Sequence, residues 1–201
     1  MPTIFLDFGN VVGFFDHRRA VAKMVRFTPL SAAELTLSVY GSVVESDYES
    51  GRTDTAEFVR LAKANGRLNC TDAEFLEAFN DIFTPNPEVC DLIPKLAESH
   101  RLVLASNTNP AHFGRFSVQF ADVLRHFAKL GVSHEAGARK PHAAFFAYCQ
   151  QFADAPPGEC AFVDDLPANV EAATAFGWKG IVYRPGEHLA AKLRAAGVAV
   201  E

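Results

Sequence analysis

An α/β fold is what this sequence predicts: a doubly wound parallel sheet carrying an inserted bundle of small helices. Three observations carry that expectation. Short runs that are apolar at nearly every position recur at wide spacing. Helical periodicity fills most of the gaps between them. One long stretch near the N-terminal end has helix-start signatures and no convincing strand run.

The apolar runs are Thr3-Ile4-Phe5-Leu6, Leu102-Val103-Leu104-Ala105, Cys160-Ala161-Phe162-Val163 and Gly180-Ile181-Val182-Tyr183, with Lys129-Leu130-Gly131-Val132 as a weaker fifth. A strand with one wet face alternates apolar and polar residues. A strand covered on both faces need not, and these do not. Pro167 stands at a favourable first-turn position of a helix that Gly177 closes, with Val170, Ala173 and Thr174 on one face. A second helix is expected from about His142 to Phe152, where Phe145, Phe146, Cys149 and Phe152 recur at helical spacing.

The stretch from about Phe14 to Phe83 differs. Ser31-Ala32-Ala33-Glu34, Asp54-Thr55-Ala56-Glu57 and Thr71-Asp72-Ala73-Glu74 each place a capping side chain three residues before a Glu that can return a hydrogen bond. Phe58, Leu61, Phe75, Leu76 and Phe79 follow at helical spacing. Thr84-Pro85-Asn86-Pro87 ends the stretch, because two prolines break a helix and favour an extended linker. The expected division is a core of residues 1–13 and 85–201, with a helical insert over 14–84.

Composition narrows the function classes. Of 201 residues, 49% are hydrophobic and 21% charged, which is globular rather than disordered. A formal net charge of −5 argues against a general nucleic-acid binder. Cys70, Cys90, Cys149 and Cys160 form no Cys-x-x-Cys pair, so they read as reduced thiols. No apolar run is long enough for a bilayer. The first residues lack a basic flank, and Asp7 interrupts their apolar run, so no signal peptide is read and a cytoplasmic location is expected.

Ligands of open parallel sheets sit at the carboxyl ends of the strands. Asp7 ends the first run here. Ser106, followed by Asn107, ends the second. Asp164 and Asp165 end the fourth. Lys140 lies in Gly137-Ala138-Arg139-Lys140-Pro141, before the Phe-rich helix. Carboxylates, a hydroxyl and a cation together are the set that a divalent metal and a phosphoryl group require.

Asp7-Phe8-Gly9-Asn10-Val11, Ser106-Asn107-Thr108-Asn109, Arg139-Lys140-Pro141 and Asp164-Asp165 with Asn169 resemble, in order, the four motifs of the haloacid dehalogenase superfamily. The likeness covers essentially the whole chain, and the helical insert is similar to that superfamily's cap. It implies a Rossmann-like core and a magnesium-dependent phosphatase of small phosphorylated metabolites, with sugar phosphates among the candidates. The Asp-x-Gly-Asn-Val form is similar to a subgroup containing glucose-1-phosphate phosphatases and relatives of the phosphatase domain of epoxide hydrolases.

The resemblance implies these roles. Asp7 is the nucleophile and forms an aspartyl-phosphate. Asp7, the Gly9 carbonyl, Asp164 and Asp165 hold Mg²⁺. Lys140 neutralises the phosphoryl oxygens, and Ser106 with the backbone N–H groups beyond it donates to them. Asn10 and Asn107 add polar contacts. A small phosphorylated molecule is the expected partner, with no nucleic acid and no membrane; oligomeric state is not read from the sequence.

One departure stands out. Most phosphatases of the superfamily carry a second Asp two residues after the nucleophile, where this chain has Gly9. A missing general acid costs about 10²–10⁴-fold in rate. Asp16, His17 and a metal-ordered water are the candidate replacements, and good leaving groups would suffer least. Two rivals share the motifs: a metal-independent 2-haloacid dehalogenase, and a catalytically silent phosphometabolite-binding protein.

Overall fold

The computed structural model describes residues 2–200. In chain order it contains β1 (Thr3–Leu6), β2 (Gly13–Phe15), α1 (His17–Met24), α2 (Ala32–Val39), α3 (Val43–Glu49), α4 (Thr55–Asn65), α5 (Asp72–Asn80), β3 (Phe83–Pro85), α6 (Pro87–Ser99) and β4 (Arg101–Ser106). There follow α7 (Pro110–Gln119), α8 (Ala121–Leu124), β5 (Lys129–Val132), α9 (Ser133–Ala136), α10 (Ala143–Gln150), β6 (Cys160–Asp164), α11 (Pro167–Phe176), β7 (Lys179–Val182) and α12 (Leu189–Ala195).

All five expected runs are strands of one parallel sheet, ordered β5-β4-β1-β6-β7. The last begins one residue earlier than the apolar run suggested. Strand residues alternate between two cores. Ile4, Leu6, Leu102, Leu104, Ala161 and Val163 face one cluster, while Phe5, Val103, Ala105, Cys160 and Phe162 face the other. The period of two is present, but both phases are apolar because helices cover both faces. On the second face Phe146 of α10 meets Phe162 and Trp178 edge-on, and Phe5 stacks on Trp178 with centroids 4.0 Å apart.

Five α-helices lie between β2 and β3. Their capping was legible. Ser31 and Thr71 form complete reciprocal boxes with Glu34 and Glu74. Asp54 forms only half of one: it accepts from the Glu57 N–H, but the Glu57 carboxylate is held by Arg60 at 2.7 Å. Helix α3 was not anticipated, although Ser42-x-x-Glu45 carries the same signature. Ser42 accepts from the Glu45 N–H, and the Glu45 side chain turns to Gly41 instead.

The expectation that this stretch holds no strand is corrected. β2 and β3 form a two-stranded antiparallel ribbon, pairing Gly13 with Pro85 and Phe15 with Phe83. Three residues per strand are too few to leave a periodic signal. The ribbon joins the insert's entry to its exit, reinforced by Asp16 N–H donating to Ile82 at 2.9 Å and Asn86 Nδ2 to Val11 at 2.8 Å. The core on that face of the sheet continues without a break into the insert, through Tyr48, Phe58, Phe75 and Phe79. No helix among the described residues is long and apolar enough to cross a membrane.

Phe146 fills the centre of the second core. Replacing it with Ala is expected to destabilise the protein by about 3–5 kcal/mol through lost burial and a residual cavity. Chemical denaturation with an unchanged slope checks this.

Candidate active site

The chain passes through β1 to β4 and β5 on one side, then returns to β6 and β7 on the other. The order reverses at β1, which places a crevice beyond its carboxyl end. Asp7 is the first residue past β1. Its N–H still continues the sheet by donating to Val163 at 2.9 Å, so the carboxylate is anchored by strand backbone. Asn10 then takes φ 55°, a left-handed turn that Asn tolerates, and the chain doubles back with Gly13 N–H donating to Phe8 at 2.9 Å.

Lys140 ties the site together. Its Nζ lies 2.8 Å from Asp7 Oδ1 and 2.6 Å from Asp164 Oδ2, with the ammonium side chain 1% exposed. Asp7 Oδ1 also accepts from the Phe8 N–H at 2.7 Å, while Oδ2 accepts no hydrogen bond among the described residues. Asp164 is fully buried and accepts from Asn169 Nδ2 at 3.0 Å, the Leu166 N–H at 2.9 Å and Lys140. Asp165 is half-buried, and its Oδ2 accepts from Asn10 Nδ2 at 2.9 Å. Carboxylate oxygens of Asp7, Asp164 and Asp165 all lie within 4.8 Å of one another.

Three carboxylates against one ammonium leave the cluster negative. Burial chiefly, and then the Asp164 and Asp165 charges, push Asp7 up to about 7 against the pull of Lys140. Burial likewise raises Asp165, opposed by its hydrogen bond from Asn10. A bound divalent cation reverses this, because it favours the ionised carboxylates. The donor set fits magnesium: it is all oxygen, it is hard, and it carries excess negative charge.

Loop geometry accounts for Asn107. Its Oδ1 accepts from the Lys140 N–H at 2.8 Å, and its Nδ2 donates to the Lys140 carbonyl at 3.0 Å. Both ends of the amide therefore hold the Lys140 peptide, and the residue also lines the cavity, where the substrate contact expected from sequence would be made. The Thr108 N–H, one of the backbone donors expected to face the phosphoryl oxygens, is likewise taken, by Ser133 Oγ at 2.9 Å. Ser106 Oγ has only a long contact, 3.4 Å to the Asn107 carbonyl, and lines the cavity.

That cavity holds about 490 Å³ and is bounded by Asp7, Ser106, Lys140 and Asp165 on the sheet side. Residues of the helical insert close the other side. Gly9 also lines it; a side chain there would start 3.0 Å from the Phe15 ring and 4.0 Å from Asp7 Oδ2. Of the two protein groups named as replacements for the missing acid, Asp16 faces away. It caps α1 and pairs with Arg18, whose hydrogen bonds hold its carboxyl down at about 2. His17 lines the cavity and stacks on Tyr40 with centroids 3.9 Å apart. Phe15 and Tyr40 line the cavity too.

Sequence reasoning missed Glu45, Glu49 and Ser133. The cap signature at Ser42 could have located Glu45. Ser133 and Glu49 act only through chain segments distant in sequence, so no local pattern announces them.

A family described as haloacid dehalogenase-like hydrolase matches residues 3–177. The chain belongs to that family. Solved structures agree with the fold. A HAD-like family hydrolase from Porphyromonas gingivalis is 25% identical with TM-score 0.82, covering 97% of each chain. A HAD family enzyme from Bacteroides thetaiotaomicron, in complex with magnesium and inorganic phosphate, is 21% identical with TM-score 0.80, covering 95% of this chain and 98% of that one. The L-2-haloacid dehalogenase of Xanthobacter autotrophicus, with chloropropionic acid covalently bound, is more distant: 19% identical, TM-score 0.66, covering 99% and 84%. The four motifs of this haloacid dehalogenase-like hydrolase thus lie in one crevice, as the resemblance implied.

His112 of α7 gives the site a pH dependence of stability. Its Nε2 lies 3.1 Å from the Phe79 carbonyl, which only accepts, so Nε2 carries the proton. Nδ1 then accepts from Asn109 Nδ2 at 3.0 Å. Burial, with no acceptor for a second proton, drives its pKa down to about 3. Between pH 6.5 and 3 the unfolded chain binds the proton and the folded one does not. Stability from this group is complete above 6.5 and is lost as pH falls toward 3, by at most about 1.4 kcal/mol per pH unit. Denaturation midpoints of His112→Gln are expected to fall less steeply over that window than those of the parent.

Proposed function

We propose that this hydrolase is a magnesium-dependent phosphatase of small phosphorylated metabolites, working through an aspartyl-phosphate on Asp7. One observation carries the reading: three carboxylates from two strand ends converge around a buried ammonium, beside a cavity of metabolite size. The magnesium and phosphate bound by the Bacteroides relative support it.

Asp7, the Gly9 carbonyl, Asp164 and Asp165 would hold the metal, which supplies charge neutralisation for two anions that must meet. The chain's own residues do the rest. Lys140 and the Phe8 N–H hold Asp7 Oδ1 and fix the carboxylate plane. Oδ2 is the free oxygen that attacks phosphorus. The P–O bond to the leaving group breaks, and the leaving oxygen takes its proton from water. Lys140 and the Ser106 hydroxyl bind phosphoryl oxygens whose charge grows in the transition state. Water then attacks the phosphorus of the aspartyl-phosphate, releasing phosphate and restoring Asp7. Asn10 orients Asp165, and Asn107 orients Lys140.

Gly9 supports, within this reading, a likeness to the glucose-1-phosphatase and epoxide-hydrolase phosphatase subgroup. No carboxylic acid stands at that position to protonate the leaving group. Rates are therefore expected to fall as the pKa of the leaving alcohol rises, across a series of phosphate monoesters. A flat series means that another group supplies the proton.

Two measurements test the activity itself. Asp7→Asn is expected to lower kcat by about 10⁴-fold or more on any ester the parent hydrolyses. A chelator is expected to abolish turnover, and magnesium to restore it. Chelator-resistant release of halide from a 2-haloacid would instead establish the dehalogenase chemistry.

A further inference from the structure

We infer that Glu49 and Arg139 are positioning residues for Lys140: their ion pair carries the placement of the helical insert into the loop that holds the buried ammonium. The effect on rate rests on the phosphatase reading; the contact itself does not. Glu49 ends α3, and Arg139 immediately precedes Lys140. Among the described residues, theirs is the one ion pair that joins the elements between β2 and β3 to the sheet domain.

The last turn of α3 is where the insert stands on the core. Tyr48 Oη accepts from the Ala111 N–H at 3.1 Å. Arg139 Nη2 lies 2.7 Å from Glu49 Oε2, and Nη1 donates to Ser46 Oγ at 3.1 Å. Gly51 takes φ 67° and comes so near the His134 carbonyl that a Cβ there would collide with it. These contacts reach α7, the Lys140 loop and α9. The end of α3 is thus fixed against three separate segments of the sheet domain, and one of them carries Lys140.

Stability is a poor account of the pair. The Glu49 side chain is 14% exposed, and its Oε2, though close to Nη2, lacks the alignment of a hydrogen bond; Arg139 Nε is buried without a partner. So dry and imperfectly bonded a pair offsets little of its desolvation cost. Its position matters more. Asn107 holds the Lys140 peptide from the core side, and the Arg139 carbonyl accepts from the His142 N–H at 2.8 Å. The Arg139 side chain is held from the insert side. One planar peptide joins the two residues, so a shift of α3 is passed to Lys140. Lys140 tolerates little movement, since its Nζ meets Asp7 at 2.8 Å and Asp164 at 2.6 Å together. Charge acts in the same direction. Burial pushes the Glu49 carboxyl up, while Arg139 and then Lys140 draw it back, so Glu49 interacts with both cations. Without Glu49, an uncompensated guanidinium would stand beside the ammonium.

The test measures kcat and KM for phenyl phosphate and a hexose monophosphate with magnesium, and amide hydrogen exchange without it. Glu49→Gln keeps the shape of the side chain and removes its charge. It and Arg139→Gln are each expected to lower kcat by about ten- to hundredfold, the scale set by small misplacements at a reacting centre. KM is expected to move less. The loss is expected to be equal on both esters, because Lys140 meets the phosphoryl group that they share. Arg139→Lys should recover part of it. The Glu49→Gln/Arg139→Gln double variant should be no slower than the slower single one, as for two residues acting through one contact. In metal-free Glu49→Gln the Lys140 and His142 amides are expected to exchange about fivefold faster or more, with β1 amides unchanged. Unaltered kcat and unaltered exchange in the single variants overturn the inference and leave the phosphatase intact. A loss confined to one ester overturns it too, since Arg139 then touches the leaving group. So do losses that multiply in the double variant. No turnover of any ester by the parent overturns the phosphatase reading, and the exchange rates then decide the positioning role alone.

Discussion

The buried ammonium of Lys140 is the contact on which the site depends. It reaches Asp7 and Asp164, residues from the ends of two neighbouring strands, and stands 5.4 Å over the Phe162 ring. Two carboxylates this close and this dry repel each other. With the cation between them they form a compact charged cluster; without it each would be an uncompensated buried charge, a loss of several kcal/mol. Lys140 arrives from a loop rather than a strand, so its own backbone must be held. Asn107 does this with both atoms of its amide. The loop after β4 is fixed in turn by Ser133, which exchanges hydrogen bonds with both backbone groups of Thr108. The chain of dependence runs from a serine at the start of α9 to the charge balance at Asp7.

The helical insert is joined to the sheet domain by polar contacts as well as by apolar ones. Tyr48 of α3 accepts from the Ala111 N–H at the start of α7, and His112 donates to the Phe79 carbonyl at the end of α5. Both contacts occur where the insert meets the same helix. The cavity wall contributed by the turn after α2 is therefore referenced to α7, and through Asn109 to the loop that carries Ser106. The cavity wall and the Ser106 end of β4 are positioned by one continuous set of contacts.

Much of this was legible in the sequence. Runs apolar at every position exposed the parallel strands, since burial on both faces erases alternation. The four motifs exposed Asp7, Lys140 and Asp164: a strand end confines the two carboxylates to one edge of the sheet, and the Arg139-Lys140-Pro141 motif marked the loop that brings the cation. What stayed hidden has a common physical reason. The β2–β3 ribbon pairs residues about seventy positions apart, over a length too short for any period. Asn107 suits a ligand contact by its type; only the fold reveals that both ends of its amide also hold the Lys140 peptide. Asp16 looked like a spare acid beside the site, yet its local cap and its pairing with Arg18 turn it outward. Glu45 was written in a cap signature like three that were read, but that it lines the cavity follows from where α3 packs.

The ring of Phe15 over Gly9 bears on how this chemistry could change over evolutionary time. A carboxylate acquired at position 9 would have to begin 3.0 Å from that ring, and Phe15 is itself paired with Phe83 at the root of the helical insert. An acid there would crowd the ring unless Phe15, itself 39% exposed, turned aside or gave way to a smaller residue. Acid–base chemistry at position 9 is thus coupled sterically to the residue at position 15.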